Sequence, residues 1–324
     1  MILKKQKKKL KKFKLNSIRE ECGVFGIHNF IDASTITALG LHALQHRGQE
    51  GCGIVSFDGI NFHSEKRHGL VGDNFTNKDI LKKLPGKSAI GHNRYSTTGE
   101  TSLRNIQPFF ADIYGGGISV AHNGNFTNAL KLREKLVKEG AIFRTTSDTE
   151  TIVQLIAKSK RQKMIDKVID TIFQVQGGYA LVMMSNKKLI GARDPLGIRP
   201  LVLGKIKDSY VLASETCAFD IIGAKFIREI ENGEVVVIED NSLKSIKPFT
   251  KKKERPCVFE YVYFARPDSY LKGKCAYEYR KNFGYELAKE SDDIGDIVVP
   301  VPDSGVPAAI GYSHYKKIGF ELGL

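Results

Sequence analysis

The chain has 324 residues, enough for about two domains that each bury a core. Its 41% hydrophobic and 27% charged residues are ordinary for a globular protein, and no apolar run approaches the roughly 18 residues that span a bilayer. The net charge of +14 invites a nucleic-acid reading, but residues 1–21 carry eight lysines and one arginine against two glutamates, +7, so half of the excess sits in one terminal stretch. The run from Lys4 to Lys14 reads as a solvated tail, with a basic RNA-binding arm as the alternative. No apolar stretch follows it, which excludes a secretory signal, and a transit peptide calls for more serine and arginine. The five cysteines, at 22, 52, 217, 257 and 275, are odd in number and scattered, which points to a reducing, cytoplasmic compartment rather than a disulfide framework.

In chain order, Val24–Ile27 and Ile54–Phe57 read as apolar strands. Between them Ser34 is placed to cap a helix running to about His46, with Ile36, Leu39 and Ala43 on one face. Ala89–Tyr95 and Ile118–His122 are further strands, each ending in polar residues. Ser147-Asp148-Thr149-Glu150 has capping-box spacing, followed by Ile152, Leu155 and Ile156 at helical intervals. Tyr179–Met184, Lys188–Arg193, Leu201–Leu203, Tyr210–Ala213 and Val235–Ile238 read as successive strands. The pattern is that of an α+β layered core, stacked sheets with helices outside. Composition shifts at Pro248–Pro256, which divides the chain into a leader, 1–21, a first domain, 22–250, and a second, 251–324. The second opens with a helix near Tyr277–Lys289, an apolar strand over Asp296–Val301 and a helix after Pro307. Its roughly 70 residues are few for a complete α/β domain, so a fragment or truncated product is expected.

Cys22, in Cys22-Gly23-Val24-Phe25-Gly26-Ile27, is the residue with the most chemistry at stake. On a strand it is an ordinary buried thiol. Placed at a new terminus by cleavage after Glu21, it gains an α-amine of pKa ~7.7–8.0 beside a thiol of ~8.5, nucleophile and base in one residue. Arg94, at a strand end, is either a surface arginine or a two-point grip for a carboxylate. His122-Asn123-Gly124-Asn125 is either a tight turn or an oxyanion site, with the Asn123 amide and the Gly124 N–H as donors worth ~2.7–4 kcal/mol each. Asp148 complements a helix dipole or serves as counter-charge to a ligand ammonium. Gly48, after Gln45-His46-Arg47, reads first as a helix C-cap.

The order and spacing of these stretches, with Thr146-Ser147-Asp148-Thr149-Glu150, resemble the class II glutamine amidotransferase domain. Ala192-Arg193-Asp194-Pro195-Leu196-Gly197 and Glu260-Tyr261-Val262-Tyr263-Phe264-Ala265-Arg266-Pro267-Asp268-Ser269 are similar to the amidophosphoribosyltransferase branch, over about residues 17–324. The resemblance implies an N-terminal-nucleophile hydrolase αββα sandwich followed by the start of an α/β type I phosphoribosyltransferase domain. It also implies the first step of purine synthesis: glutamine hydrolysed through a Cys22 thioester, and ammonia passed to phosphoribosyl pyrophosphate. By the same resemblance, Asn123 and Gly124 form the oxyanion hole, Arg94 binds the glutamine carboxylate and Asp148 its ammonium, and Arg47 and Gly48 shape the pocket. Mg²⁺ falls at Ser304 and one thiolate of a [4Fe–4S] cluster at Cys257, with three ligands beyond Leu324. The resemblance further implies that the leader is a propeptide, that purine nucleotides regulate, and that the intact enzyme is a homotetramer with neither nucleic-acid nor membrane partner. The diphosphate-cradling loop is not reached by Leu324, so glutaminase alone is expected of this chain. An amidotransferase of the glucosamine-6-phosphate or asparagine synthase type would share the first domain but not the sequence after Pro256.

Overall fold

The computed structural model describes residues 22–95, 102–293 and 295–324. The lysine-rich leader, including Glu21 of the Glu21–Cys22 bond, and residues 96–101 after Tyr95 lie outside the described residues. In chain order the first part of the chain forms β1 (Gly23–Ile27), α1 (Ala33–Ala43), β2 (Gly51–Phe57), β3 (Phe62–His68), the short α2 (Val71–Phe75) and α3 (Lys78–Leu81), β4 (Ser88–Arg94), β5 (Phe109–Ile113) and β6 (Gly116–Phe126). Then follow α4 (Ala129–Lys138), α5 (Thr149–Lys158), α6 (Met164–Ile172), β7 (Gly177–Ser185), β8 (Lys188–Arg193), β9 (Val202–Ile206), β10 (Ser209–Ala213), α7 (Cys217–Ile222), β11 (Lys225–Glu229), β12 (Val235–Glu239) and β13 (Ser242–Ile246).

These strands make two antiparallel sheets, ordered β11-β9-β10-β1-β4-β2-β3 and β13-β12-β8-β7-β6-β5. Strand alternation sorts their side chains into three cores. Val24, Val55, Ile90 and Leu212 of the first sheet meet Ala121, Ala180, Val182 and Val236 of the second between the sheets. The alternate residues Phe25, Ile54, Ala89 and Val211 pack outward under α1 and α7. On the other side Ile118, Val120, Leu181 and Ile190 pack under α5 and α6. The result is a four-layer αββα sandwich, the stacked sheets with outer helices that the sequence pattern implied and the sandwich that the family resemblance implied. Each fully buried Val, Leu, Ile or Phe side chain contributes about 1.5–3 kcal/mol.

Four strands not anticipated from the sequence, β3, β5, β11 and β13, are the four edges of the two sheets. Edge strands are often polar and escape a search for apolar alternation, as Phe62-His63-Ser64-Glu65-Lys66-Arg67-His68 does. Three other expectations need correction. The buried face of α1 is Ala33, Ser34, Thr37, Ala38, Gly40, Leu41 and Ala43, while Leu39 is exposed. Small residues win because the helix lies close on the sheet: a Cβ on Gly40 would come within 2.3 Å of the Phe25 ring. Ser34 spends its hydroxyl on the Leu84 carbonyl instead of capping the helix. The capping box at Ser147 does not close either. The Glu150 carboxylate accepts from the Arg144 and Thr145 backbone N–H groups and so ties the preceding loop to the helix.

After β13, residues 247–256 have no regular structure. A π-type turn over Glu260–Phe264 leads to the hairpin β14 (Tyr270–Leu271) and β15 (Lys274–Cys275), then α8 (Ala276–Glu290), β16 (Ile297–Val298), α9 (Val306–Lys316) and β17 (Gly319–Phe320). Of the strand expected over Asp296–Val301 only Ile297 and Val298 pair, in parallel with β17, whose two residues are their whole partner.

Candidate active site

Strand alternation continues into the polar residues at one end of the sandwich. Cys22 shares the parity of Val24, His92 and Arg94 that of Ile90, and Asn123 that of Ala121, so all four face the gap between the sheets. Pairing of Gly23 with Asn93 sets Cys22 beside Arg94, and the Cys22 Sγ lies 3.9 Å from the Tyr95 carbonyl oxygen. The gap is bridged at this level by a hydrogen bond of 3.2 Å between His92 Nε2 and the His122 carbonyl. β1 is pinned by the Ser214 hydroxyl, which accepts from the Val24 N–H at 2.9 Å.

Arg94 is buried at the end of β4, with Nη1 3.4 Å from the Ser102 carbonyl. Burial lowers its pKa, opposed by Glu50 and Cys22. Gly48 is not a left-handed C-cap: its φ of −173° is extended backbone. Glycine is needed there for space, since a Cβ would sit 2.6 Å from the Arg94 carbonyl carbon.

Arg47 has another task than direct contact with a ligand, because its guanidinium is fully buried. Its Nε donates to the Cys22 carbonyl at 2.9 Å, its Nη1 to Glu215 at 2.5 Å, and its Nη1 and Nη2 to the two Glu260 oxygens at 2.9 and 2.6 Å. Burial disfavours the charge, but Glu260 and Glu215 outweigh it and hold the pKa above the ordinary arginine value. Glu215 also accepts from His46, the Arg266 N–H and the Ser269 hydroxyl. Burial would raise its pKa, but Arg47 and then His46 hold it well below the carboxylate range. Neither glutamate was found from the sequence. The available signal was Arg47 itself, since a buried arginine requires carboxylate partners, but sequence alone does not say which.

Asn123 is fully buried, and among the described residues neither its Nδ2 nor its Oδ1 has a hydrogen-bond partner. Unpaired buried amides are rare and expensive, about 1–3 kcal/mol per group, so a ligand that supplies the partner is the natural explanation. Gly124 has φ of +140°, and a Cβ there would be 2.1 Å from the Gly178 carbonyl oxygen, so only glycine fits. Asp148 stands at the N-terminal edge of α5 without a side-chain cap bond; its Oδ2 accepts instead from the Phe126 N–H at 3.0 Å. Burial raises its pKa to about 6, yet a fifth of its side chain stays open. The site therefore brings together Cys22, Arg94 and Asn123 in the gap, with Asp148 reached through Phe126 at the end of β6.

Cys257 and Ser304 lie elsewhere. Cys257 is half-buried at a small cavity lined by Arg193, Pro256, Glu260 and Tyr261. Ser304 is exposed between β16 and α9. A [4Fe–4S] cluster needs four thiolates and Mg²⁺ a set of oxygens, whereas among the described residues no group of three His, Cys, Asp or Glu is placed to hold a metal. The described residues by themselves supply neither set. Among the described residues no helix is long and apolar enough to cross a membrane.

A model of the glutamine amidotransferase domain matches residues 92–220. The amidophosphoribosyltransferase of Rhizobium etli is 55% identical over 314 residues, 95% of this chain and 63% of that protein. That of Bacillus subtilis is 45% identical, over 96% of this chain and 65% of its own. A solved structure of glutamine phosphoribosylpyrophosphate amidotransferase from B. subtilis, complexed with ADP and GMP, matches with a TM-score of 0.89 at 44% identity, covering 93% of this chain and 66% of that one. The chain thus spans just under two thirds of the length of these relatives.

Proposed function

The chain belongs to the amidophosphoribosyltransferase family, and on that premise we propose that it hydrolyses glutamine at the Cys22 end of the sandwich. The reaction runs as follows. The Cys22 sulfur attacks the glutamine side-chain carbonyl carbon, and its proton passes to the α-amine that cleavage after Glu21 creates. The oxyanion of the tetrahedral intermediate takes hydrogen bonds from Asn123 Nδ2 and the Gly124 N–H. Collapse returns the proton to the leaving nitrogen, which departs as ammonia. Water then cleaves the thioester to glutamate and restores the thiol. Arg94 grips the α-carboxylate, Asp148 as the carboxylate faces the α-ammonium, and Arg47 and Gly48 hold Cys22 and Arg94 in place.

The observation that carries this reading is the fully buried Asn123 amide, unpartnered at both ends among the described residues and in the same gap as Cys22. Residues 251–324 are proposed to open a phosphoribosyltransferase unit, in which ammonia displaces pyrophosphate from C1 of phosphoribosyl pyrophosphate to give 5-phosphoribosylamine. The proposal routes no step through Mg²⁺ or an iron–sulfur cluster. ADP and GMP in the B. subtilis complex support purine nucleotides as regulators. The test is steady-state glutamine hydrolysis by protein processed to Cys22, with and without phosphoribosyl pyrophosphate. Glutamate release that is lost on blocking the thiol with a glutamine-mimicking electrophile is the expected result. Release that survives complete labelling of Cys22 contradicts it.

A further inference from the structure

We infer that His122 is a positioning residue for the ammonium end of the site: as a neutral ring it donates through Nδ1 to the Thr149 hydroxyl and thereby turns that hydroxyl's hydrogen onto Asp148. The inference rests on the glutaminase reading and deepens it. His122 has the opposite parity to Asn123, so its buried ring faces the helix layer, stacked on Phe126 with centroids 4.3 Å and planes 11° apart. Its backbone is fixed on both sides, the N–H donating to Gln107 Oε1 at 2.8 Å and the carbonyl accepting from His92 at 3.2 Å. Nδ1 lies 3.1 Å from Thr149 Oγ1 and 3.9 Å from Asp148 Oδ1, and Thr149 Oγ1 lies 3.3 Å from that same oxygen. Nε2 is buried and has no hydrogen-bond partner among the described residues.

Two neutral tautomers compete. With the hydrogen on Nε2, a buried N–H has no acceptor, Nδ1 takes the Thr149 hydrogen, and Asp148 loses a donor. With the hydrogen on Nδ1, the unpaired atom is only a lone pair, and Thr149 donates to the carboxylate. A buried unpaired donor is the costlier defect, so the second arrangement prevails. The charged and titratable surroundings agree. Burial and then the Arg199 guanidinium, from the loop after β8, push the His122 pKa down to about 3, and burial does the same to His92 on β4. Glu150, the next acid on α5, is turned away to the Arg144 and Thr145 N–H groups, and its charge acts on Lys66 of β3. Asp148, which burial would leave protonated, recovers its charge from the Phe126 and Thr149 donors. A substrate ammonium needs that charge.

The test is the titration of Asp148 in the full chain carrying ¹³Cγ-aspartate, its resonance assigned by loss in Asp148→Asn. The midpoint is expected at about 6. Thr149→Val should move it upward by roughly one pH unit, a tenfold change in proton affinity. His122→Phe, which keeps the stacked ring and loses Nδ1–H, should shift it the same way. Thr149→Ser, and His122→Asn with its amide N–H near the Nδ1 position, should return it toward the wild-type value. The acid limb of kcat/KM for glutamine should follow, activity falling as pH drops through each midpoint. An Asp148 midpoint unmoved by Thr149→Val or by His122→Phe overturns the inference. A midpoint that moves while the acid limb stays put upholds the relay and removes Asp148 from the ammonium.

Discussion

The sandwich and the stretch from Ile297 to Ser304 treat their polar side chains in opposite ways. In the sandwich Arg47, His92, Asn123, His122 and Glu215 are buried between or beneath layers, either networked or waiting for a partner. In the later segment Asp303 and Ser304 are exposed, and so are the apolar Ile297, Val299 and Val301 around them. The difference is one of architecture. Two sheets closing on one another fix a side chain from both sides and remove it from water, which makes each donor count for more. A helix pair with a two-residue parallel ladder does not. The segment after Ile246 is tied to the sandwich through one network: Glu260 grips the arginine that holds the Cys22 carbonyl, and the Arg266 N–H and the Ser269 hydroxyl donate to Glu215.

Substitutions sharpen this contrast. Cys22→Ser should remove nearly all glutamine hydrolysis, read as glutamate release, and wild-type rates in it would rule out the thioester route. Arg47→Leu strands two buried carboxylates and should cost about 3–5 kcal/mol of stability in a denaturant melt. That loss should be greatest at neutral pH and shrink on acidification. The reason is that Glu215 is held below its ordinary pKa, so its stabilising contribution is present above the unfolded carboxylate range and is lost as pH falls through its folded value. A melt in which Arg47→Leu matches wild type at neutral pH would dissolve the tie between the sandwich and the segment after Ile246. Asn123→Ala should lower kcat by about 10²–10³-fold with a smaller change in KM, the signature of a donor used in the transition state. Arg94→Lys keeps the charge but loses the two-point grip, so KM for glutamine should rise about tenfold, and an unchanged KM takes Arg94 out of that role. Ser304→Ala, in the exposed segment, should leave glutamine hydrolysis within about twofold of wild type, as surface substitutions do. A large loss there would erase the contrast.

What was legible in the sequence follows from the same contrast. Cys22 and Arg94 stand at the ends of apolar strands and Asn123 continues the apolar run of β6, and alternation along those strands tells which way they face. The edge strands β3, β5, β11 and β13 were missed because edge strands are short or largely polar: β3 is Phe62-His63-Ser64-Glu65-Lys66-Arg67-His68, and the others are five residues each. The helix face on α1 was misread because close packing on Phe25 rewards small residues, which a search for Ile and Leu passes over. Glu215 and Glu260 were invisible because their partner lies 168 and 213 residues away in the chain. His122 stood in a motif that had been singled out, but its role depends on which side of β6 it faces and on a hydroxyl 27 residues on. Gly48 was recognised as necessary for the wrong reason: the limit is the approach of the Arg94 backbone, and the dihedral angle is ordinary.

The most direct measurement is the intact mass of protein that is actively hydrolysing glutamine, taken after reaction with a glutamine-mimicking electrophile. The account requires a species that begins at Cys22 and bears one adduct on that residue. A fully active species that still carries residues 1–21, or an adduct on any other side chain, contradicts it.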